Sequence, residues 1–137
     1  MRLLPVLLAG LVGAGLALAV RALPGGWVRY VPGSPTAAAY LVLENPGPKP
    51  LKLLGAESPV AGRISLHTTL RDGSVLSMRS VEAFDLPAKG RLELKPGGNH
   101  LMLEALKRPL KLGEKVTLVL RFSDGSQLKL ELPVEMR

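Results

Sequence analysis

Arg63-Ile64-Ser65-Leu66-His67-Thr68-Thr69-Leu70-Arg71-Asp72-Gly73-Ser74-Val75-Leu76-Ser77-Met78 decides what kind of fold this chain adopts. Ile64, Leu66 and Leu70 fall on even positions, with Ser65, His67 and Thr69 between them. A strand turns successive side chains to opposite faces, so the alternation marks one buried and one polar face. Asp72-Gly73 between two strand-like runs signals a short hairpin, because a type I′ turn needs positive φ at both central residues. With those two residues as the loop, Leu70 faces Val75 and His67 faces Met78. Directly opposed side chains share a face with Cβ atoms about 4.5–5.5 Å apart.

The same grammar continues outward. Runs at residues 37–43, 51–56, 91–95 and 100–106 are each bounded by turn chemistry such as Asn45-Pro46-Gly47-Pro48 and Pro96-Gly97-Gly98-Asn99. A second hairpin, residues 115–122 and 127–134, is turned by Ser123-Asp124-Gly125-Ser126. In it Val116, Leu118, Leu120 and Phe122 alternate with Thr117, Val119 and Arg121, and Leu128, Leu130 and Leu132 alternate with Lys129 and Glu131. No segment holds a helical period. Short strands at this spacing predict an all-β, Greek-key β-sandwich with one buried face per sheet.

The 137 residues suffice for one domain with a real core. Met1-Arg2 precedes an uncharged apolar run from Leu3 to Val20. That is an export signal, residues 1–19, with cleavage expected after Ala19, or alternatively an uncleaved anchor. Residues 20–35, rich in Gly and Pro, read as a linker interrupted by Trp27-Val28-Arg29-Tyr30-Val31, and residues 36–137 as the sandwich. Leu11 follows Leu8-Ala9-Gly10 where a lipoprotein site would need Cys. The domain is therefore expected outside the cytoplasm, in a periplasmic or equivalent compartment, touching membrane only if the leader is kept.

The formal net charge is +7, and loss of the leader with Arg2 leaves seventeen basic against eleven acidic residues. These charges are dispersed, as on a solvated surface. Export and an aromatic content of 4% argue against nucleic acid. The sequence holds no cysteine, which excludes thiolate centres of blue-copper, zinc or iron-sulfur type. Nucleophile-elbow and Walker motifs are absent from the exported part, and the acidic residues are too scattered for a calcium loop. The chain is not expected to be an enzyme.

What remains is a set of soft donors. His67, Met78, His100 and Met102 include both histidines and the two methionines remote from the ends. Methionine is usually core filler, yet the apolar set Leu101, Leu103 and Ala105 leaves His100 and Met102 on the opposite, polar face. Imidazole with thioether suits Cu(I) and not Mg²⁺, Ca²⁺ or Mn²⁺. The sequence thus offers a two-His, two-Met copper site, against the alternative of a metal-free exported sandwich that serves as an interaction module.

The run His67-(ten)-Met78-(twenty-one)-His100-Leu101-Met102, with Leu94-Lys95-Pro96-Gly97-Gly98-Asn99 before it and Leu106-Lys107-Arg108-Pro109 after it, resembles the periplasmic copper chaperones of PCuAC type. The resemblance extends over about residues 36–134. It implies a cupredoxin-like sandwich, monomeric, holding one Cu(I) per chain through those four side chains. It also implies delivery to the dinuclear CuA centre of cytochrome c oxidase subunit II. Some members carry a His- and Met-rich tail; this chain ends Val134-Glu135-Met136-Arg137, so a second copper site is not expected. Asn99 stands where an aromatic residue is common in the family.

Overall fold

The computed structural model describes residues 19–137, which form eleven strands. They are β1 (Arg21–Ala22), β2 (Trp27–Arg29), β3 (Ala37–Asn45), β4 (Leu51–Glu57), β5 (Ala61–Asp72) and β6 (Val75–Val81). The others are β7 (Phe84–Leu86), β8 (Gly90–Leu94), β9 (His100–Leu106), β10 (Lys115–Phe122) and β11 (Gln127–Glu135). The leader and most of its expected cleavage region lie outside the described residues. Among the described residues, no helix is long and apolar enough to cross a membrane.

The strands follow one hydrogen-bonded path, β6-β5-β9-β3-β2-β11-β10-β4-β7, with β1 and β8 joined to β3. Two strands change layer along it. Ala37–Ala39 of β3 pair with β9, while Leu41–Asn45 pair with β8. Most of β11 lies against β10, but Val134 and Glu135 run parallel to β2. The path thereby folds over itself as the expected Greek-key sandwich, cupredoxin-like in architecture. β2 with β11 is the parallel exception among antiparallel pairs.

Residues 20–35 are more than a linker. Trp27, Val28 and Tyr30 are all buried, and β2 is hydrogen-bonded on both sides. The sandwich therefore begins before residue 36, because burying these large side chains outweighs the turn-forming bias of the surrounding Gly and Pro. Between the layers, Val28, Ala39, Leu66, Leu101 and Leu103 meet Leu53, Leu86, Val116, Leu118 and Leu120 in one core. This leaves the outward side chains of the β6-β5-β9-β3-β2 row available for a site.

Candidate metal centre

His67 on β5 lies directly opposite His100 on β9, and Ser65 opposite Met102. Strand parity turns all four away from Leu101 and Leu103, whose side chains are fully buried in the core. The two imidazole centroids are 5.5 Å apart. The sequence contains this juxtaposition only implicitly, because β5 and β9 are joined through three intervening strands' worth of chain.

Met78 does not take the position expected for it. It pairs with Thr69, while His67 faces Ser80. The reason lies in the turn. Gly73 has φ 65°, and Asp72 is not among the residues of positive φ. Asp72 instead pairs with Val75, leaving Gly73-Ser74 as the loop. Positive φ at the first central position only is the pattern of a type II′ turn. The resulting slip is two residues, so Met78 keeps the face of His67 but moves to a diagonal, where backbone separations are roughly 7–8 Å. The unbranched thioether chain can span such a gap. Met78 is 62% exposed. With His100 and Met102 it lines a pocket of about 210 Å³.

His100 departs from expectation in the other direction. Its face is not simply polar, and the residue is only 3% exposed. Tyr40, on β3, has its ring 6.3 Å from that of His100 and 5.1 Å from that of Trp27. Trp27, Ala38 and Tyr40 form a second small buried cluster on the outside of the sheet. In the sequence this aromatic wall shows only as the short run around Trp27, and nothing local links that run to His100.

The turn before β9 orients the imidazole. Gly98 N donates to Lys95 O across 3.0 Å, and Gly97 has φ 81°. Pro96 and Gly97 thus occupy the central positions of a type II turn, each for its own conformational reason. The turn presents the Gly98 carbonyl to His100 Nδ1 at 3.3 Å. A carbonyl only accepts, so Nδ1 carries the proton and Nε2 of the neutral ring keeps its lone pair. Burial, with a further push from His67 and against the Gly98 hydrogen bond, holds the His100 pKa below its ordinary value. The neutral form that a metal needs is therefore favoured.

His100 Nε2 and His67 Nδ1 are both buried without a hydrogen-bond partner among the described residues. Buried imidazole nitrogens without partners are costly, and the bare lone pair of His100 Nε2 calls for a hydrogen-bond donor or a cation. Two thioethers complete a donor set suited to a soft monovalent ion. Glu104 is the nearby carboxylate on this face, but it accepts from Ser65 at 2.5 Å and Arg63 at 2.9 Å. Among the described residues no cluster of three or more His, Cys, Asp or Glu could hold a harder ion. The residues present fit copper in its reduced form.

Fold and site together define a cupredoxin-like domain of PCuAC type. Residues 21–134 match the family described as "Putative lipoprotein LpqE-like", and the chain belongs to that family. "Putative lipoprotein Lxx21020" of Leifsonia xyli subsp. xyli is 38% identical over 110 residues, 80% of this chain and 66% of that protein. The chain thus spans just under two thirds of the length of this curated relative. The copper-bound PCuAC domain from PmoF2 superposes with a TM-score of 0.72 at 21% identity, over 86% of this chain and 93% of that one. The solution structure of the Cu(I) form of DR1885 from Deinococcus radiodurans gives a TM-score of 0.68 at 40% identity, over 85% and 82%. Although relatives are described as lipoproteins, the present sequence has no cysteine to carry a lipid.

Proposed function

We propose that this chain is an exported Cu(I) carrier in which His67, Met78, His100 and Met102 hold one ion. One observation carries the proposal: the rings of His67 and His100 lie 5.5 Å apart, each with a buried nitrogen lacking a hydrogen-bond partner, and His100 lines a pocket with both thioethers. The likeness to Cu(I)-DR1885 supports the metal and its oxidation state. One wall of the site is buried and aromatic and the other is an exposed methionine. That asymmetry suits a cargo that leaves from the Met78 side, whereas an electron-transfer centre would be enclosed on all sides. The acceptor proposed is the CuA centre of cytochrome c oxidase subunit II, a step supported by the PCuAC type alone. The apolar leader of residues 3–20 and the lipoprotein description of relatives support a periplasmic or equivalent location.

Titration of the exported domain with Cu(I) against a chromophoric chelator tests the proposal. One equivalent bound tightly, with affinity lost in the His100→Ala, Met102→Ala double variant, is the expected result. A chain that takes up no Cu(I) would instead be the metal-free interaction module. Transfer to apo subunit II is tested separately, by appearance of the CuA absorption spectrum on mixing.

A further inference from the structure

We propose that Arg29 makes the site select ions by charge, admitting a monovalent cation and disfavouring divalent ones. The inference rests on the reading of the site as a copper centre and adds what discriminates among metals there beyond ligand softness. Arg29 lies on β2, and its guanidinium carbon is 5.4 Å from the centre of the Trp27 ring and 5.7 Å from that of Tyr40. Contact with two aromatic faces fixes the group in place without neutralising it. Arg29 lines the same pocket as Met78, His100 and Met102. The steps of 5.7 Å from Arg29 to the Tyr40 ring and 6.3 Å onward to the His100 ring keep guanidinium and imidazole within about 12 Å.

Arg29 forms no ion pair among the described residues, and its Nε is buried without an acceptor. The carboxylate of Glu135, its cross-strand neighbour on β11, is paired instead with Arg137 at 2.6 Å. Arg63, the cation on the same face beside Met102, is by contrast neutralised by Glu104 at 2.9 Å. The four candidate ligands are neutral when they coordinate, so nothing in the donor set offsets a second positive charge on the ion.

The work of bringing an ion toward a fixed charge is proportional to the ion's own charge. Arg29 therefore lowers the affinity for a divalent ion by the square of the factor by which it lowers that for Cu(I). At this separation, and at low salt, the factor is about threefold for Cu(I) and about tenfold for Zn²⁺. The net effect is selectivity gained at little loss of cargo affinity.

The test compares Cu(I) and Zn²⁺ dissociation constants, each by chelator competition, in the unsubstituted chain and in Arg29→Gln, Arg29→Lys and Thr36→Lys. Arg29→Gln should tighten Zn²⁺ by the square of its effect on Cu(I), while Arg29→Lys, which keeps the charge, should stay near the parent. Thr36→Lys adds a cation at another lining residue of the pocket and should shift both constants by the same law in the reverse sense. It reads the law independently if circular dichroism shows that Arg29→Gln does not fold. Equal fold-changes for the two ions, or none, in the folded variants would overturn the role of Arg29 and leave the carrier reading standing. Failure of the unsubstituted chain to bind Cu(I) would overturn both.

Discussion

The β5–β6 and β10–β11 hairpins are turned by the same tripeptide, Asp-Gly-Ser, yet they occupy opposite environments. In the second, Asp124 Oδ1 accepts from both N and Oγ of Ser126, and Gly125, with φ 86°, closes a loop of residues 123–125. In the first, Gly73 and Ser74 alone form the loop. Beyond the turns the contrast grows. Leu118 and Leu120 of β10 are fully buried, whereas Val75, Leu76 and Met78 of β6 are all more than half exposed. One hairpin is held by the core; the other is an edge arm held by its ladder to β5. The lesson is that the site combines a fixed half, built on β9 and β3, with a half carried on an arm that few core contacts restrain.

Stability should show the difference most strongly. Leu118→Ala, at a position with 0% exposure, is expected to cost about 2–5 kcal/mol in chemical denaturation. Leu76→Ala, at 56% exposure, should change stability by about 0.5 kcal/mol or less. Similar losses for the two would mean that the arm packs against something other than solvent.

Copper binding should invert that ranking. Met78→Ala is expected to weaken Cu(I) by about tenfold or more, a loss of about 1.4 kcal/mol, while leaving the denaturation midpoint unchanged. His100→Ala should weaken binding further and also perturb the aromatic wall, because His100 is 3% exposed. If Met78→Ala binds copper as the parent does, the arm is no part of the site.

Acid should act differently on the two functions. Because burial lowers the His100 pKa, protons compete with copper there only below the ordinary imidazole range. Cu(I) affinity should therefore stay level through neutrality and fall at lower pH, where the His100 imidazole takes up a proton that copper binding must release. Fold stability responds elsewhere. The Arg108 guanidinium, with a backbone N–H from Lys111, holds Glu114 at about 2. A carboxyl whose folded pKa is depressed adds stability above its unfolded pKa of about 4.5, and that contribution is lost as pH falls toward about 2. Copper affinity and the stability contributed by this ion pair therefore answer to different groups, His100 and Glu114, and should show separate pH profiles. Simultaneous loss would indicate that copper leaves by unfolding.

Alternation and turn residues made most of the sandwich legible, since Val116, Leu118, Leu120 and Phe122 are buried as their spacing demands. Three features were not. The register at Asp72-Gly73 depends on which residue takes positive φ, and Asp-Gly followed by Ser permits either loop. The pairing of His67 with His100 is a tertiary choice between strands that no local pattern fixes. The aromatic wall joins Trp27, on a strand short enough at three residues to be mistaken for loop, to Tyr40 on β3, a contact that no local pattern fixes. His67, His100 and Met102 stand out in the sequence because they fall on positions where apolar periodicity does not call for them.

X-ray absorption at the copper edge of the Cu(I)-loaded chain tests the central claim most directly. The account predicts a first shell of imidazole nitrogen and thioether sulfur in equal numbers, with a sulfur contribution that halves in Met78→Ala. A shell of nitrogen and oxygen alone, or one unchanged by that substitution, would contradict it.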